Sequence, residues 1–340
     1  MKAVFFQQHG GLDVLRYGDI PAPSPGEGEV LVKVEACGLN HLDLWMRQGL
    51  PGIKIPMPHI SGSEVVGTVY AAPANGFQKG QRVLVAPGIS CSTCSACSAG
   101  RESLCQKFRI VGLQTNGGYA EYMSVPARNL IPLGDKFKPE EWAAVPLVFL
   151  TAWHMLITRG QLKAGESVLI QGGGSGIGSA ALQIAKLAGA GVFTTVGSEK
   201  KARKAKLLGA DWVINHTKAD VVKEVLKKTD QQGVDLVFEH VGPATWNGSI
   251  RCLKKGGRLV TCGATTGPKV ELDLRFFFTK ELTVMGAYMG SRYELDRVLA
   301  LIEEGRLKPV VDTVFMLKEA PRAQKMMEER NFFGKIVLKI

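Results

Sequence analysis

The stretch Val168-Leu169-Ile170-Gln171-Gly172-Gly173-Gly174-Ser175-Gly176-Ile177-Gly178 joins a short apolar run to a glycine-rich turn. Apolar side chains then recur at helical spacing up to Leu187, so the sequence predicts strand, turn and helix in succession. Glycines let the backbone approach a phosphate closely, and a helix start offers N–H groups that no intrahelical acceptor uses. The stretch therefore predicts a βα unit with a phosphate site, and a purely structural turn is the alternative.

The succession of strand and helix continues after the turn. Short apolar strands alternate with helical segments, which is typical of a doubly wound parallel sheet. The further strands are predicted at Gly191–Val196, Asp211–Ile214, Val234–Phe238 and Arg258–Cys262. In this context the turn predicts dinucleotide binding, although Ser175 replaces the second glycine of the G-x-G-x-x-G pattern.

The end of the second strand indicates which dinucleotide is bound. Val196 stands where an NAD site usually places an acidic residue for the ribose hydroxyls. Without that carboxylate a 2′-phosphate is not repelled, and nearby basic residues can neutralise it. We therefore predict NADP(H) in preference to NAD(H), with a solvated basic helix face as the alternative for each lysine. The predicted cofactor contacts are Thr151, Gly173, Gly174, Ser175, Gly176, Ile177, Gly178, Ser198, Lys201, Arg203 and Lys335.

The first part of the chain has a different pattern. Alternating or apolar runs separated by glycine and proline predict a β-rich domain, with strands at Ala3–Phe6, Glu29–Ala36, Val65–Ala71 and Arg82–Ala86. Residues after about 276, including a final strand at Lys335–Lys339, are predicted to return to this domain. The predicted α/β fold thus has a β-rich domain, 1–125 completed by 276–340, and a dinucleotide-binding domain, 126–275.

Composition excludes several protein classes. With 340 residues, 45% hydrophobic and 21% charged, the chain can bury two cores and is not expected to be disordered. Its longest apolar stretch, Ala143–Trp153, is interrupted by Pro146 and is too short to cross a bilayer. The hydrophobic region of a secretory signal is missing, so we expect a cytoplasmic protein without a membrane partner. The formal charge of +11 favours anionic ligands, and we do not expect nucleic acid to be the main partner.

Four of the seven cysteines lie close together, at Cys91, Cys94, Cys97 and Cys105. Four thiolates in one short loop can complete a tetrahedral zinc shell and leave no position for substrate. The spacing therefore predicts one structural zinc ion, with an iron–sulfur cluster as the alternative.

The whole chain resembles the medium-chain dehydrogenase/reductase superfamily, which includes zinc-type alcohol dehydrogenases and quinone reductases. The segments that carry the resemblance, besides the cysteines and the glycine turn, are Gly118–Tyr122, Gly256–Val260 and Gly334–Leu338. The resemblance implies a GroES-like first domain, a Rossmann second domain, a small carbonyl substrate beside the nicotinamide, and a homodimer or homotetramer.

The sequence departs from the zinc alcohol dehydrogenases at all three catalytic zinc ligands. Asn40 replaces the cysteine of a C-H-T-D-like stretch, and Ser63 replaces the histidine of G-H-E. The segment 145–150, before Thr151, has no cysteine. Asparagine and serine are poor zinc ligands, so we predict that the catalytic zinc is absent. Leu42 also removes the hydroxyl that passes protons in those enzymes.

The predicted catalytic residues are Asn40, His41, Asp43, Ser63 and Glu64. Without zinc, hydride transfer depends on positioning and on hydrogen-bond donors at the developing oxyanion, for which Asn40 and Ser63 are candidates. The resemblance implies that His41 lies near the cofactor phosphates and that Asp43 and Glu64 organise the site. A quinone or α,β-unsaturated ketone suits such a site. An alcohol dehydrogenase or ketone reductase of the same fold, and a nucleotide-binding regulatory or RNA-binding protein, are the alternatives.

Overall fold

The computed structural model describes residues 1–71 and 76–340. These residues form two compact units. Unit 1 comprises Met1–Leu147, Ser291–Asp296 and Pro309–Ile340, and unit 2 comprises Val148–Gly290 and Arg297–Lys308.

The described strands and α-helices are numbered in chain order. The strands are β1 Lys2–Phe5, β2 Arg16–Asp19, β3 Glu29–Gly38, β4 Glu64–Ala71, β5 Arg82–Val85, β6 Gly88–Ile89, β7 Arg109–Ile110, β8 Tyr122–Pro126, β9 Leu130–Pro132, β10 Ser167–Ile170, β11 Gly191–Val196, β12 Trp212–Asn215, β13 Val234–Glu239, β14 Leu253–Thr261, β15 Thr283–Gly286, β16 Val311–Met316 and β17 Lys335–Lys339. The helices are α1 His41–Gln48, α2 Ser95–Ser98, α3 Pro139–Trp142, α4 Val148–Trp153, α5 Gly176–Leu187, α6 Glu199–Leu207, α7 Val221–Lys228, α8 Pro243–Cys252, α9 Leu274–Lys280, α10 Arg292–Glu303 and α11 Ala320–Glu328.

Unit 1 is built on a mainly antiparallel sheet. Its strand order is β16-β17-β3-β4-β5-β9, and β8 pairs with β3 beside this path. The pair β16 and β17 is parallel, whereas β17 runs antiparallel to β3. The long strand β3 has partners on both edges, and its valine and leucine side chains are buried, whereas Lys33 is exposed. The C-terminal strand thus lies beside the strand that leads into α1.

Unit 2 is a parallel α/β sheet in the order β12-β11-β10-β13-β14-β15. Counted from its first strand, β10, this order is 3-2-1-4-5-6, the arrangement of a dinucleotide-binding Rossmann sheet. Strand β13 is buried along its whole length because neighbours pair with both its edges. The predicted doubly wound sheet is confirmed, and the α/β fold class with it.

The unit boundaries differ from those predicted in the sequence. Unit 1 extends to Leu147 rather than 125, because β9 pairs with β5 and continues the first sheet. Residues 276–290 belong to unit 2 rather than unit 1, because β15 pairs in parallel with β14. A segment around 297–308 also lies in unit 2. Local patterns predict strands well, but which sheet a strand joins depends on distant partners.

No helix among the described residues is long and apolar enough to cross a membrane.

Candidate active site, cofactor turn and cysteine cluster

The glycine turn has the predicted geometry. Strand β10 ends at Ile170 and α5 begins at Gly176, so the residues between them, including Gly174, form the connecting turn. Ser175 is the N-cap of α5, and its Oγ accepts a hydrogen bond from the N–H of Gly178 at 2.9 Å. The same hydroxyl donates to the carbonyl oxygen of Gly172 at 2.8 Å. Serine at this position therefore closes the turn, which explains why the pattern tolerates it.

Two glycines of the turn have no space for a side chain. A Cβ atom at Gly173 would lie 2.2 Å from Oγ1 of Thr194 on β11, and one at Gly178 would lie 2.3 Å from the carbonyl oxygen of Gly172. The first turn of α5, with Gly176 and Ile177, has N–H groups without intrahelical acceptors. A tightly packed turn at a helix N-terminus, at the carboxyl end of a parallel strand, fits a dinucleotide phosphate.

The structure adds two residues that the sequence reasoning missed. Oγ1 of Thr195 accepts from the N–H of Gly172 at 2.9 Å and donates to Oε1 of Gln171 at 2.9 Å. Nε2 of His240 lies 2.8 Å from the carbonyl oxygen of Gln171 and 3.5 Å from Oγ of Ser175. Both residues follow or end neighbouring strands, and the shared carboxyl edge of β10, β11 and β13 was the signal that could have found them.

The predicted 2′-phosphate contacts lie at the start of α6. Strand β11 ends at Val196, and Ser198 is the N-cap of α6. The Oγ of Ser198 accepts from the N–H of Lys201 at 3.3 Å, while Arg203 lies further along the same helix. The end of β11 carries no carboxylate, as predicted, although Glu199 opens the helix and is paired with Lys218.

Thr151, another predicted cofactor contact, lies in α4 of unit 2. It is 5% exposed, and within residues 1–71 and 76–340 its Oγ1 has no hydrogen-bond partner. A buried hydroxyl normally finds a partner, so this orphaned oxygen is consistent with a ligand contact.

The four cysteines come together as predicted. Their Sγ atoms all lie within 4.8 Å of one another. The separations from Cys91 are 3.8 Å to Cys97 and 3.5 Å to Cys105, and Cys94 lies 3.5 Å from Cys97. Four sulfur atoms bound to one zinc ion at ~2.3 Å would be separated by roughly 3.8 Å, so the set fits a tetrahedral ion. The backbone N–H of Thr93 lowers the pKa of Cys91 to about 5, whereas contacts with the neighbouring thiols of Cys97 and Cys91 raise the pKa of Cys94 to about 11.

Asn40 and Asp43 start helix α1. Asn40 is its N-cap, and its N–H donates to Oδ2 of Asp43 at 2.8 Å. Asp43 is fully buried and also accepts from the N–H of Gly62 and the hydroxyl of Tyr119, each at 3.0 Å. Burial raises the pKa of Asp43 to about 6, although these hydrogen bonds oppose the shift. Asp43 therefore ties the backbone N–H groups of Asn40 and Gly62 together.

Glu64, at the start of β4, is fully buried and is contacted from three directions. Its Oε1 accepts from the N–H of Leu147 at 2.8 Å. Its Oε2 accepts from Nδ2 of Asn40 at 3.0 Å and lies 2.5 Å from Nζ of Lys335. Lys335 is 3% exposed, and its ammonium also donates to Oδ1 of Asn40 at 2.8 Å and to the carbonyl oxygen of Leu39. We call these three side chains, Asn40, Glu64 and Lys335, the polar triad.

The other two predicted catalytic residues have different surroundings. Ser63 is fully buried, and its Oγ has no hydrogen-bond partner among the described residues. His41, the first residue of α1, is partly buried, with its ring centroid 5.3 Å from that of Trp45. The predicted residues Asn40, Asp43 and Glu64 are joined by hydrogen bonds through Asn40.

Within the ranges 1–71 and 76–340, the four-cysteine group is the only set of three or more His, Cys, Asp or Glu side chains whose ligand atoms converge. The polar triad offers one carboxylate and already contains a cation.

Comparisons with known proteins agree with this geometry. The family model of the alcohol dehydrogenase GroES-like domain matches residues 26–135, and that of the zinc-binding dehydrogenase matches residues 176–304. Acryloyl-coenzyme A reductase of Sulfurisphaera tokodaii is 32% identical over 94% of this chain and 95% of its own length. The chain belongs to the medium-chain dehydrogenase/reductase superfamily. It is an oxidoreductase of that superfamily, and the GroES-like and Rossmann domains are confirmed.

Two other members of the superfamily differ in their named activities. Quinone oxidoreductase of Homo sapiens is 29% identical over 99% of this chain and 97% of its own length. A crystal structure titled NAD-dependent alcohol dehydrogenase is 42% identical, covers 100% of both chains and has a TM-score of 0.96. Both the reductase and the dehydrogenase branches are therefore represented among the relatives.

Proposed function

We propose that this member of the superfamily is an NADP(H)-dependent reductase that transfers hydride to a conjugated carbonyl compound, a quinone or an α,β-unsaturated ketone, without catalytic zinc. The polar triad is the observation that supports this proposal most strongly. Asn40 takes the place of a thiolate ligand, and the carboxylate of Glu64 is neutralised by Lys335. The chain itself supplies the positive charge at this position.

The cofactor site is the glycine turn of unit 2. A bound dinucleotide supplies the hydride, while the chain binds and orients it. The N-terminus of α5 holds the pyrophosphate, and Ser198, Lys201 and Arg203 at the start of α6 hold the 2′-phosphate. Absence of a carboxylate at Val196 removes the repulsion that would favour NAD(H).

The substrate class follows from the donors available. Asn40 has amide N–H groups, and Ser63 has a hydroxyl without a partner in the part of the chain that the structure describes. Either can donate to a substrate oxygen that gains negative charge. Two neutral donors stabilise an oxyanion less than a metal does, so the substrate must accept hydride readily. A conjugated carbonyl is already electron-poor, and the charge that develops on it is delocalised.

Structural zinc at the four cysteines completes the proposal. The ion would be held by Cys91, Cys94, Cys97 and Cys105, and it would order a loop that contains few apolar side chains. A cytoplasmic location and a homodimeric or homotetrameric assembly remain predictions.

The test is turnover by protein whose metal content has been measured. Oxidation of NADPH is followed with quinones, enones, saturated ketones and aldehydes, and the series is repeated with NADH. We expect turnover confined to the conjugated substrates, with one zinc ion per chain. A second zinc ion per chain, or efficient reduction of saturated ketones, would contradict the proposal.

Cofactor choice has its own test. Lys201→Glu places a carboxylate near the predicted 2′-phosphate site, and we expect it to weaken NADPH binding about 10- to 100-fold while NADH binding changes little. Lys206→Glu, at the far end of α6, makes the same charge change and serves as the control. Equal losses for both cofactors in Lys201→Glu would count against the assignment.

A second candidate is an NAD-dependent alcohol dehydrogenase. The 42% identity to a structure with that title favours it. Preference for NADH together with oxidation of simple alcohols, measured on the same protein, would move the chain to that branch.

A further inference from the structure

The sequence predicts Lys335 as a cofactor contact, but its ammonium group is directed elsewhere. Nζ has three hydrogens, and within unit 1 it contacts three acceptors: Oδ1 of Asn40, Oε2 of Glu64 and the carbonyl oxygen of Leu39. The side chain is 3% exposed. Each donor therefore has an acceptor inside the protein, and a cofactor phosphate would have to displace one of them.

Glu64 and Lys335 together fix the orientation of the Asn40 amide. Lys335 can only donate, so the atom of Asn40 that faces it must be the oxygen. The ionised carboxylate of Glu64 can only accept, so the atom that faces it must be the nitrogen. Both requirements are met at 2.8 Å and 3.0 Å. Rotating the amide by 180° would place N–H against ammonium and oxygen against carboxylate, which would replace two favourable contacts with two repulsive ones.

This orientation leaves Asn40 with a hydrogen-bond donor. Nδ2 carries two hydrogens, of which one is used by Glu64. The other is directed towards the carbonyl oxygen of Gly38 at 3.5 Å, beyond the usual ~3.2 Å limit of a strong N–H···O bond. A substrate oxygen can therefore take over this hydrogen at little cost, whereas a flipped amide would present an acceptor to the same oxygen.

The fully buried carboxylate of Glu64 also needs a counter-charge. A buried carboxylate without a partner is strongly disfavoured, and the nearest cation among the described residues is the ammonium of Lys335 at 2.5 Å. Asn40 and Lys335 are 295 positions apart in the chain, and the pairing of β17 with β3 brings them together.

We propose that Lys335 is a positioning residue for hydride transfer: its buried ammonium neutralises Glu64 and holds the Asn40 amide with its N–H towards the substrate oxygen. This inference rests on the proposed function for its catalytic consequence. The orientation of the Asn40 amide is a property of the protein alone.

The first experiment compares Lys335→Met with wild type and with Lys339→Met. Methionine keeps the length of the side chain and removes its charge, and Lys339 is an exposed lysine on the same strand, paired with Glu140 at 3.2 Å. For Lys335→Met we expect kcat for NADPH-dependent reduction of a conjugated carbonyl to fall about 10- to 100-fold. The reason is that the Asn40 N–H is no longer held towards the substrate oxygen. The Kd for NADPH, measured by fluorescence titration, should stay within about twofold. A large rise in Kd with unchanged kcat would overturn the proposal and return Lys335 to the cofactor site.

The double variant Lys335→Met/Glu64→Gln separates positioning from stability. It removes both buried charges, so the melting temperature should recover towards wild type. A glutamine amide can either donate to or accept from Asn40, so it does not select one orientation and kcat should stay low. Recovery of kcat together with stability would show a merely structural role and would overturn the proposal.

NMR can test the orientation of the Asn40 amide even if the protein reduces none of the substrates. The side-chain amide of Asn40 should give one pair of ¹H–¹⁵N signals in wild type, assigned by their loss in Asn40→Leu. In Lys335→Met these signals should shift and broaden as the amide samples both orientations, whereas Lys339→Met should leave them unchanged. An unchanged pair in Lys335→Met overturns the positioning role. Shifted signals in a protein with no turnover support it while refuting the proposed function.

Discussion

Unit 1 contains two clusters of polar side chains, the four cysteines and the polar triad, and the two are built in different ways. The cysteine cluster keeps four thiols within 4.8 Å of one another in a single loop. The polar triad has an amide, a carboxylate and an ammonium group, drawn from three distant parts of the chain. At the first site an added ion would satisfy the ligands, and at the second the protein provides its own cation.

The two clusters satisfy their charged or polar groups in different ways. Four thiolates in contact need a bound ion, because without it four negative charges would repel one another. A lysine can instead neutralise a carboxylate such as Glu64. The neighbouring residue, here Asn40, can then be a neutral hydrogen-bond donor. Substitutions at the two clusters can therefore distinguish these two ways.

The largest effect should come from the cysteine cluster. Cys97→Ser should reduce bound zinc from one per chain to well below one and unfold the loop, since structural zinc binding in small peptides is worth about 10–16 kcal/mol. Metal analysis and thermal unfolding measure both results. Ser98→Ala, an exposed neighbour, should change neither. A Cys97→Ser protein of unchanged stability would mean that the cluster does not hold a structural ion.

In the polar triad, Glu64→Ala should destabilise the protein by about 3–5 kcal/mol, because the buried ammonium of Lys335 loses its counter-charge. Denaturant unfolding gives the free energy. Glu329→Ala removes an exposed carboxylate that lies 3.9 Å from Lys325, and it should have no measurable effect. Chelators should not change the result for Glu64→Ala, because no metal balances this charge in our proposal. Sensitivity of this variant to chelators would show that a metal ion also binds at the polar triad.

Tyr119→Phe should cost about 1.5–3 kcal/mol, because it removes the hydroxyl that donates to buried Asp43. Tyr17→Phe removes a hydroxyl from a ring that is 48% exposed and serves as the control. Denaturant unfolding of the two variants side by side should separate them clearly. If both lose the same stability, the hydroxyl of Tyr119 does not support the Asn40 loop.

The smallest effect concerns pH. The pKa of Asp43 is raised from 3.8 to about 6 in the folded protein, so protonation favours the folded state and stability from this group is lost as pH rises through 6. The stability of wild type relative to Asp43→Asn should therefore be greater at pH 5 than at pH 7.5, by about 1 kcal/mol. Both proteins carry the same cysteine cluster, so its proton uptake cancels in the comparison. A difference that does not change with pH would show that Asp43 is not perturbed.

The sequence predicted the local features of these sites and missed the distant ones. The cysteine cluster and the glycine turn were predictable because their residues lie within a short stretch and their spacing carries the geometry. The contact of Lys335 with Asn40 was not predicted, because nothing local indicates which strand β17 will pair with. The support that Thr195 and His240 give to the turn was missed because it depends on strand ends that lie side by side at the carboxyl edge of β10, β11 and β13. Residues 276–290 were assigned to the wrong unit because a short strand does not reveal which sheet it joins.

The pairing of β17 with β3 also sets an order of events in biosynthesis. All six strands of the unit 2 sheet lie between residues 167 and 286, so this sheet can form while the rest of the chain is still being made. The sheet of unit 1 is complete only when residues 335–339 have been made. The other strands that pair with β3, β4 and β8, are complete by residue 126. The polar triad is therefore assembled last, when the nascent chain already carries a folded nucleotide-binding unit.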